Sequence, residues 1–303
     1  TFSFFTTGLP SPPCREIAKL SGNIPLISGE WFTEIKGRNG FEPVRPERLR
    51  RFHRWHRRRY GIMKWLTLLS PTVEACLVAE ATGSRYVLSG NERSANEGNR
   101  ARIGDLEVNH QYTKTYAIER ELAPFLAKYL HPKLMYASLL MPFYEMQLAK
   151  IFASYPQYFS AFKSCNRPPS SRPWCLKCPK CAFVFLALSA WIDEASVTRI
   201  FSADLLADPK HVQSFVDMCG RGGHKPLECV GVSDESLLAL YLASERRTSG
   251  PLHPKLAAIL PTATEVDELK ERFLSAYNEE NRLPPSWNDQ LRKWVLPDNP
   301  PRR

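Results

Sequence analysis

"SCNRPPSSRPWCLKCPKC" spans residues 164–181 and holds half of the eight cysteines in a chain of 303 residues. Four prolines and three serines leave it no periodicity from which to build a helix or strand of its own. A structureless loop of this length is uncommon inside a compact domain unless something else orders it. Here the cysteines supply the order. Cys165 precedes Cys175 by ten positions, and Cys175, Cys178 and Cys181 then follow at intervals of three. Two-residue spacers let neighbouring thiolates reach one ion without strain, and four thiolates suit tetrahedral zinc. Pro179 fits the first position of a helix, which places Cys181 in that helix's first turn, where orphan amides and the positive dipole end favour thiolate over thiol. Lys177 and Lys180 are read as offsetting the negative charge of the site.

The reading is therefore a structural Zn2+ on Cys165, Cys175, Cys178 and Cys181, since four protein ligands leave no open position for catalysis. An iron–sulfur cluster is the rival, because CxxCxxC also opens a ferredoxin motif. That motif continues with a further Cys followed by Pro, whereas Cys181 leads into "AFVFL". Three thiols that merely share a helical spacing are the plainer alternative, and Pro179 between them argues against it. Cys14, Cys76, Cys219 and Cys229 show no spacing logic; Cys219 and Cys229 read as core or free thiols.

Outward from this loop the text is orderly from about residue 63. "SRYVLSGNE" (84–92) is a short strand running into a polar loop, and Ile118, Leu122, Phe125, Leu126 and Tyr129 give the apolar face of a helix over 112–130. "KLMYASLL" (133–140) reads as a second strand. Pro142 opens another helix, with Tyr144, Leu148, Ile151, Phe152 and Tyr155 on one face, and "YFSAFKS" (158–164) reads as a third strand. A strongly apolar helix over 179–192, a helix near 208–219 and one capped at Ser233 follow. The last helix begins at Thr264, where T-x-x-D resembles a capping box, and the Pro-rich tail beyond it is expected to fray or pack as an arm. Strands alternating with helices predict an α/β fold with a mainly parallel sheet and flanking helices, a zinc-clipped Cys loop and a helical C-terminal part. The expected divisions are an irregular basic segment (1–62), an α/β domain holding the Cys loop (63–250) and a C-terminal helix with its tail (251–303).

Composition sets bounds on function. A hydrophobic share of 43% and a charged share of 24% are those of an ordinary globular protein. The longest apolar run, "CAFVFLALSAWI" (181–192), has core-helix length, so no membrane span is expected. CxxC spacing without a basic leader points to a reducing, cytoplasmic setting. Much of the net charge of +10 sits in "VRPERLRRFHRWHRRRY" (44–60), with eight arginines, no lysine and one glutamate. Such a block is a polyanion patch or, more plainly, a solvated segment. Its Lys-free, Pro-rich neighbourhood is equally what an out-of-frame stretch looks like, and nucleic acid is not taken as the expected partner.

"SGNERSANEGNRARIGDLEVNHQYTKTY" (89–116) is the densest collection of chemistry. It follows a strand, and parallel α/β folds bind ligands at the carboxyl ends of their strands. Glu92 and Glu97 suit a base or magnesium ligand, and Arg93 and Lys114 suit phosphate or carboxylate. Ser94, Asn96, Asn99, Asn109 and Gln111 offer neutral hydrogen bonds, and His110 a proton near neutral pH. The plain alternative is a hydrated surface loop.

Taken in order, "SGNERSANEGN", "VNHQYTKTYAIE", "SLLMPFYE", "FKSCNR", "WCLKCPKCAFVFLAL" and "KPLECVG" resemble the UDP-N-acetylmuramoyl-L-alanyl-L-glutamate epimerase (MurL) family over about residues 84–240. The layout also resembles the zinc-containing 7-cyano-7-deazaguanine synthases, which share the ATP-pyrophosphatase, Rossmann-like fold. The resemblance implies ATP- and Mg2+-dependent inversion of the terminal L-Glu of UDP-MurNAc-L-Ala-L-Glu through an acyl-adenylate, with AMP and pyrophosphate released, in peptidoglycan precursor synthesis. Inversion needs two proton-carrying groups on opposite faces, for which Glu92 and His110 are the sequence's candidates. Arg93, Ser94, Asn96, Glu97, Asn99, Gln111 and Lys114 are the candidates for substrate and ATP. The sequence departs from the fold's pattern in one respect: "LSGN" (20–23 and 88–91) and "ISGE" (27–30) lack the second Gly and the Asp-Ser of an SGGxDS pyrophosphate loop. An N-terminally truncated or damaged chain is the expectation this raises. A nucleoside- or tRNA-modifying enzyme of the same fold and a non-catalytic zinc-stapled fragment are the alternatives.

Overall fold

The stretch "SDESLLALYLASER" forms a helix because its first turn carries acids that suit the positive end of the helix dipole, and because Glu235 reaches back to the Val232 amide at 3.0 Å. This helix, Ser233–Arg246, and the apolar helix Pro179–Ser189 are central to the protein's core. The chain is described by a computed structural model over residues 3–7, 11–29, 34–37, 40–43, 63–98, 102–165, 174–223, 226 and 228–295. The arginine block 44–60 and Asn99 lie outside the described residues.

Contacts divide the chain into two units, one of residues 1–87 and 124–135, the other of residues 88–123 and 136–303. In the first unit, β1 (Phe4–Thr7) pairs in parallel with β2 (Leu26–Gly29) around α1 (Pro12–Leu20), whose N-cap Ser11 accepts from the Cys14 amide. Strands β3 (Glu34–Gly37) and β4 (Gly40–Pro43) form an antiparallel pair, and α2 (Met63–Ala81) follows with Pro71 inside it.

Two strands run through the division point. β5 (Tyr86–Ser89) pairs with β8 (Met135–Ser138), and both advance in the same direction: the Met135 amide donates to the Arg85 carbonyl and the Leu139 amide to that of Ser89. Between them lie a small hairpin, β6 (Arg102–Ile103) with β7 (Leu106–Glu107), and α3 (Tyr116–Tyr129).

The rest of the second unit is helical: α4 (Glu145–Ala153), α5 (Pro179–Ser189), α6 (Glu194–Phe201), α7 (Val212–Met218), α8 (Ser233–Arg246), α9 (Pro254–Ala257), α10 (Ala263–Lys270) and α11 (Pro285–Val295). Phe183, Phe185, Leu186, Phe201, Phe215, Leu240 and Leu256 are fully buried in its core. The architecture is thus mixed α/β and helix-rich, with strands in pairs among the described residues where the sequence predicts a mainly parallel sheet. Helix packs against helix in this core, so a wide sheet is not what buries the apolar residues.

Four local expectations need correction. "YFSAFKS" forms a 3-10 turn (Pro156–Tyr158) and a loop, because Phe159 and Phe162 both stack on Phe152, at 5.5 and 4.8 Å between ring centres. The apolar face assigned to α3 is only partly buried, since Phe125 and Tyr129 are exposed and lie against one another. The last cap lies two residues earlier than the expected Thr264: Thr262 caps α10 and Glu265 completes the box. The tail forms α11, anchored where the Tyr277 hydroxyl donates to the Asn288 side chain at 2.6 Å.

Candidate functional site

The thiol cluster forms as its spacing implies. The sulfurs of Cys165, Cys175, Cys178 and Cys181 all lie within 4.8 Å of one another, with Cys178–Cys181 at 3.5 Å, Cys175–Cys181 at 3.7 Å and Cys165–Cys178 at 3.9 Å. Zinc–sulfur bonds of about 2.3 Å in a tetrahedron require sulfurs about 3.8 Å apart, so the donor set fits that ion. Cys178 is the N-cap of α5 and Pro179 its first residue, as the sequence requires. Leu176, at φ +58°, makes the left-handed turn that brings Cys175 back toward Cys178. The ring of buried His211 is hydrogen-bonded to the Leu176 backbone, and Trp174 packs between Phe162 and Phe201. Burial, together with the neighbouring thiols, pushes Cys181 upward; a divalent cation relieves that cost.

Next to this clip lies a cluster of carboxylates and lysines. Past the end of β5, Arg93–Asn96 form a 3-10 turn. The Arg93 amide donates to the Phe143 carbonyl, and its guanidinium stacks over the Tyr144 ring at 4.7 Å. The buried Ser94 hydroxyl donates to Glu145 Oε1 at 3.2 Å. Desolvation raises the Glu145 carboxyl to about 8; the charges of Glu92 and Glu235 reinforce this, while Lys180 and the Ser94 hydroxyl oppose it. Lys180, on the first turn of α5, directs its Nζ to the Cys229 carbonyl rather than to the thiols it was expected to balance. The Cys229 sulfur lies 3.4 Å from Lys114 Nζ, which also donates to Gln111 Oε1 at 3.5 Å.

Glu235 is fully buried and completely engaged, accepting from the Met146 amide at 3.1 Å and the Val232 amide at 3.0 Å. One carboxylate thus caps both α4 and α8, tying two helix N-termini together.

Of the residues singled out in the sequence, Glu92, Ser94, Gln111 and Lys114 meet in this cluster through Glu145 and Cys229. Asn96 holds the loop, donating to the Arg93 carbonyl and accepting from the Tyr116 amide at 2.7 Å. Asn109 braces it through the Ala95 carbonyl, and Glu97 pairs with Arg272 at 3.8 Å. His110 is half-buried in the turn before Tyr112–Lys114. Glu145 and Glu235 are not singled out in the sequence as site residues, Lys180 is read there only against the thiols, and Cys229, read as a core or free thiol, is free. The signal was available in part: Glu145 ends "SLLMPFYE" and Cys229 lies in "KPLECVG".

Residues 71–139 match the MurL N-terminal domain and residues 161–271 the MurL C-terminal domain, in that order and together over more than half of the chain. The chain belongs to the MurL family. Among curated proteins it is 40% identical over 179 residues to the UDP-N-acetyl-alpha-D-muramoyl-L-alanyl-L-glutamate epimerase of Salinispora tropica, covering 56% of this chain and 39% of that protein. It is 39% identical over 164 residues to the enzyme of that name from a Micromonospora species, covering 53% and 36%. The Xanthomonas oryzae pv. oryzae enzyme is 33% identical over 224 residues, 71% of this chain and 49% of the relative. The chain thus spans between about a third and a half of the length of these relatives. No solved structure matches it significantly. Among the described residues, no helix is long and apolar enough to cross a membrane.

Proposed function

We propose that the chain performs or contributes to inversion of the terminal L-Glu of UDP-MurNAc-L-Ala-L-Glu to D-Glu, with ATP cleaved to AMP and pyrophosphate. The observation that carries the reading is the ordered match to both domains of a family whose curated relatives are all named as epimerases of this dipeptide. The chemistry explains why ATP belongs to it. The α-proton of a carboxylate is very weakly acidic, because its removal places two negative charges on adjacent atoms. Adenylating the carboxylate removes one charge and supplies an electron sink, after which a side-chain base suffices. Reprotonation from the other face and hydrolysis of the mixed anhydride then give the D-glutamyl product.

The residues support this as follows. Glu92 and Glu145 supply carboxyl groups beside Ser94, and Lys180 balances part of their charge. Arg93 and Lys114 are the candidates for the substrate's anionic groups, with Ser94, Asn96, Glu97 and Gln111 around them. Mg2+ belongs with the nucleotide phosphates; the sequence has no SGGxDS segment, and no residue is assigned to it. Zn2+ on Cys165, Cys175, Cys178 and Cys181 would fix the start of α5, and thereby Lys180, without entering the chemistry. A nucleotide-linked precursor and thiolate ligands both suit the cytoplasm.

The test is to incubate the purified chain with UDP-MurNAc-L-Ala-L-Glu, ATP and Mg2+, following pyrophosphate and the chirality of glutamate released by acid hydrolysis. Pyrophosphate and D-glutamate together support the reading. If neither forms, this chain is not an epimerase by itself, and the zinc-stapled fragment is the better description.

A further inference from the structure

We propose that Glu145 is the second proton-carrying group of the inversion, acting on the face opposite Glu92; this rests on the epimerase reading above. It takes the place that the sequence suggests for His110. Glu92 lies three residues beyond β5 and Glu145 seven residues beyond β8, and these two strands are hydrogen-bonded neighbours running in the same direction. Both carboxyls therefore follow the carboxyl ends of two adjacent strands that run in the same direction. Two loops leaving neighbouring strand ends can enclose a substrate from two sides, which an inversion requires and a single loop does not provide.

Side-chain geometry separates Glu145 from the other acids nearby. Glu235 accepts on both oxygens, from the Met146 and Val232 amides, so it serves as a helix cap. Glu97 is drawn toward Arg272. Glu145 is held by one oxygen only, through the Ser94 hydroxyl, leaving Oε2 without a hydrogen-bond partner among the described residues. The residue is half-buried, and its carboxyl is desolvated. The charged groups facing it are Glu92 from the loop after β5, Lys180 from α5 and Glu235 from α8. With desolvation and two like charges against one lysine, Glu145 keeps its proton near neutral pH, and the charge of Glu92 is one cause.

The step balances without any redox partner. In the acyl-adenylate the Cα–H bond breaks and its proton joins the Glu92 carboxylate, while the electron pair moves into the carbonyl as an enolate. The O–H bond of Glu145 then breaks and its proton bonds to Cα from the opposite face as the carbonyl reforms. Solvent takes the proton from Glu92 and returns one to Glu145 before the next turnover.

The experiment uses the full chain in deuterated water with ATP and Mg2+. Glu145→Gln is expected to lower epimerisation by at least about a hundredfold. Pyrophosphate release should continue, because adenylation needs no proton at Cα, and deuterium should wash into only one of the two epimers. If Glu145→Gln epimerises within a few-fold of the unmodified chain, the proposal is overturned while the epimerase reading stands. If the unmodified chain forms neither pyrophosphate nor D-glutamate, the epimerase reading fails, and a second measurement decides the pairing. That measurement is a pH titration of the chain with 13C-carboxyl glutamate, Glu145 being assigned by its loss in Glu145→Gln. A midpoint above neutrality that falls in Glu92→Gln sustains the linked pair. A midpoint in the ordinary carboxylate range, or one unmoved in Glu92→Gln, overturns it.

Discussion

Gly231 shows how closely the site is packed at the level of a single atom. A Cβ built there would lie 2.8 Å from the Phe183 ring and 3.0 Å from Glu235 Oε2. Phe183 and Glu235 are both buried, and Glu235 is fixed by two amides, so neither can swing clear at little cost. Gly231→Ala should therefore destabilise the chain by about 1–3 kcal/mol, read as a lower urea midpoint with an unchanged slope. An unchanged midpoint would mean that the loop before α8 yields freely. The requirement is steric and arises from residues distant in the chain, so nothing in the letters "ECVG" announces it. The same holds for Glu145: its chemistry depends on Glu92, Lys180 and Glu235, which lie 53, 35 and 90 positions away in the sequence.

At the scale of elements, local signals were the most legible. Pro179 at the start of α5, the strands at 86–89 and 135–138, and the helix after residue 232 all follow from propensity and capping. What misled was periodicity that serves a purpose other than the one it suggests. In "YFSAFKS" the apolar residues feed a cluster around Phe152 instead of alternating across a sheet. At α10, both T-x-x-E (262–265) and T-x-x-D (264–267) satisfy the capping pattern, and the structure uses the first. Thr262→Ala should cost about 1 kcal/mol in thermal or urea unfolding, and Thr264→Ala only a few tenths. The reverse order would restore the later boundary. The thiol clip is the strongest long-range element that the sequence disclosed, since its spacing alone specifies a donor set. Elemental analysis should find one zinc per chain, and chelation or Cys178→Ser should lower the thermal midpoint and loosen α5. Iron with visible absorbance would replace that assignment.

For the molecule as a whole, buried and bridged carboxyls set how stability depends on pH, and they pull in opposite directions. Glu194 accepts from the Thr248 and Ser249 amides and hydroxyls and faces Arg247, which also pairs with Asp204 at 2.8 Å. Although desolvation opposes it, these donors hold Glu194 down to about 2. Its contribution is complete above the unfolded value of 4.5 and is lost as pH falls toward 2; with solvent screening it amounts to at most about 2 kcal/mol. Glu119 behaves in the opposite sense. It is buried, and desolvation raises it to about 7 against the Ser138 amide at 2.9 Å and the charge of Arg282. The unfolded chain releases that proton near 4.5 and the folded chain near 7, so between these values the folded state binds more protons and its stability falls as pH rises. The full effect is about 3 kcal/mol. Glu119→Gln removes this limb: the stability of the unmodified chain should drop from about pH 4 to about pH 8 by more than that of the variant, by roughly this amount. The comparison is of the pH dependence, so any constant penalty from burying an amide cancels. Urea unfolding of both proteins at the two pH values provides the measurement, and parallel pH profiles would show that Glu119 ionises as readily in the folded chain as in the unfolded one.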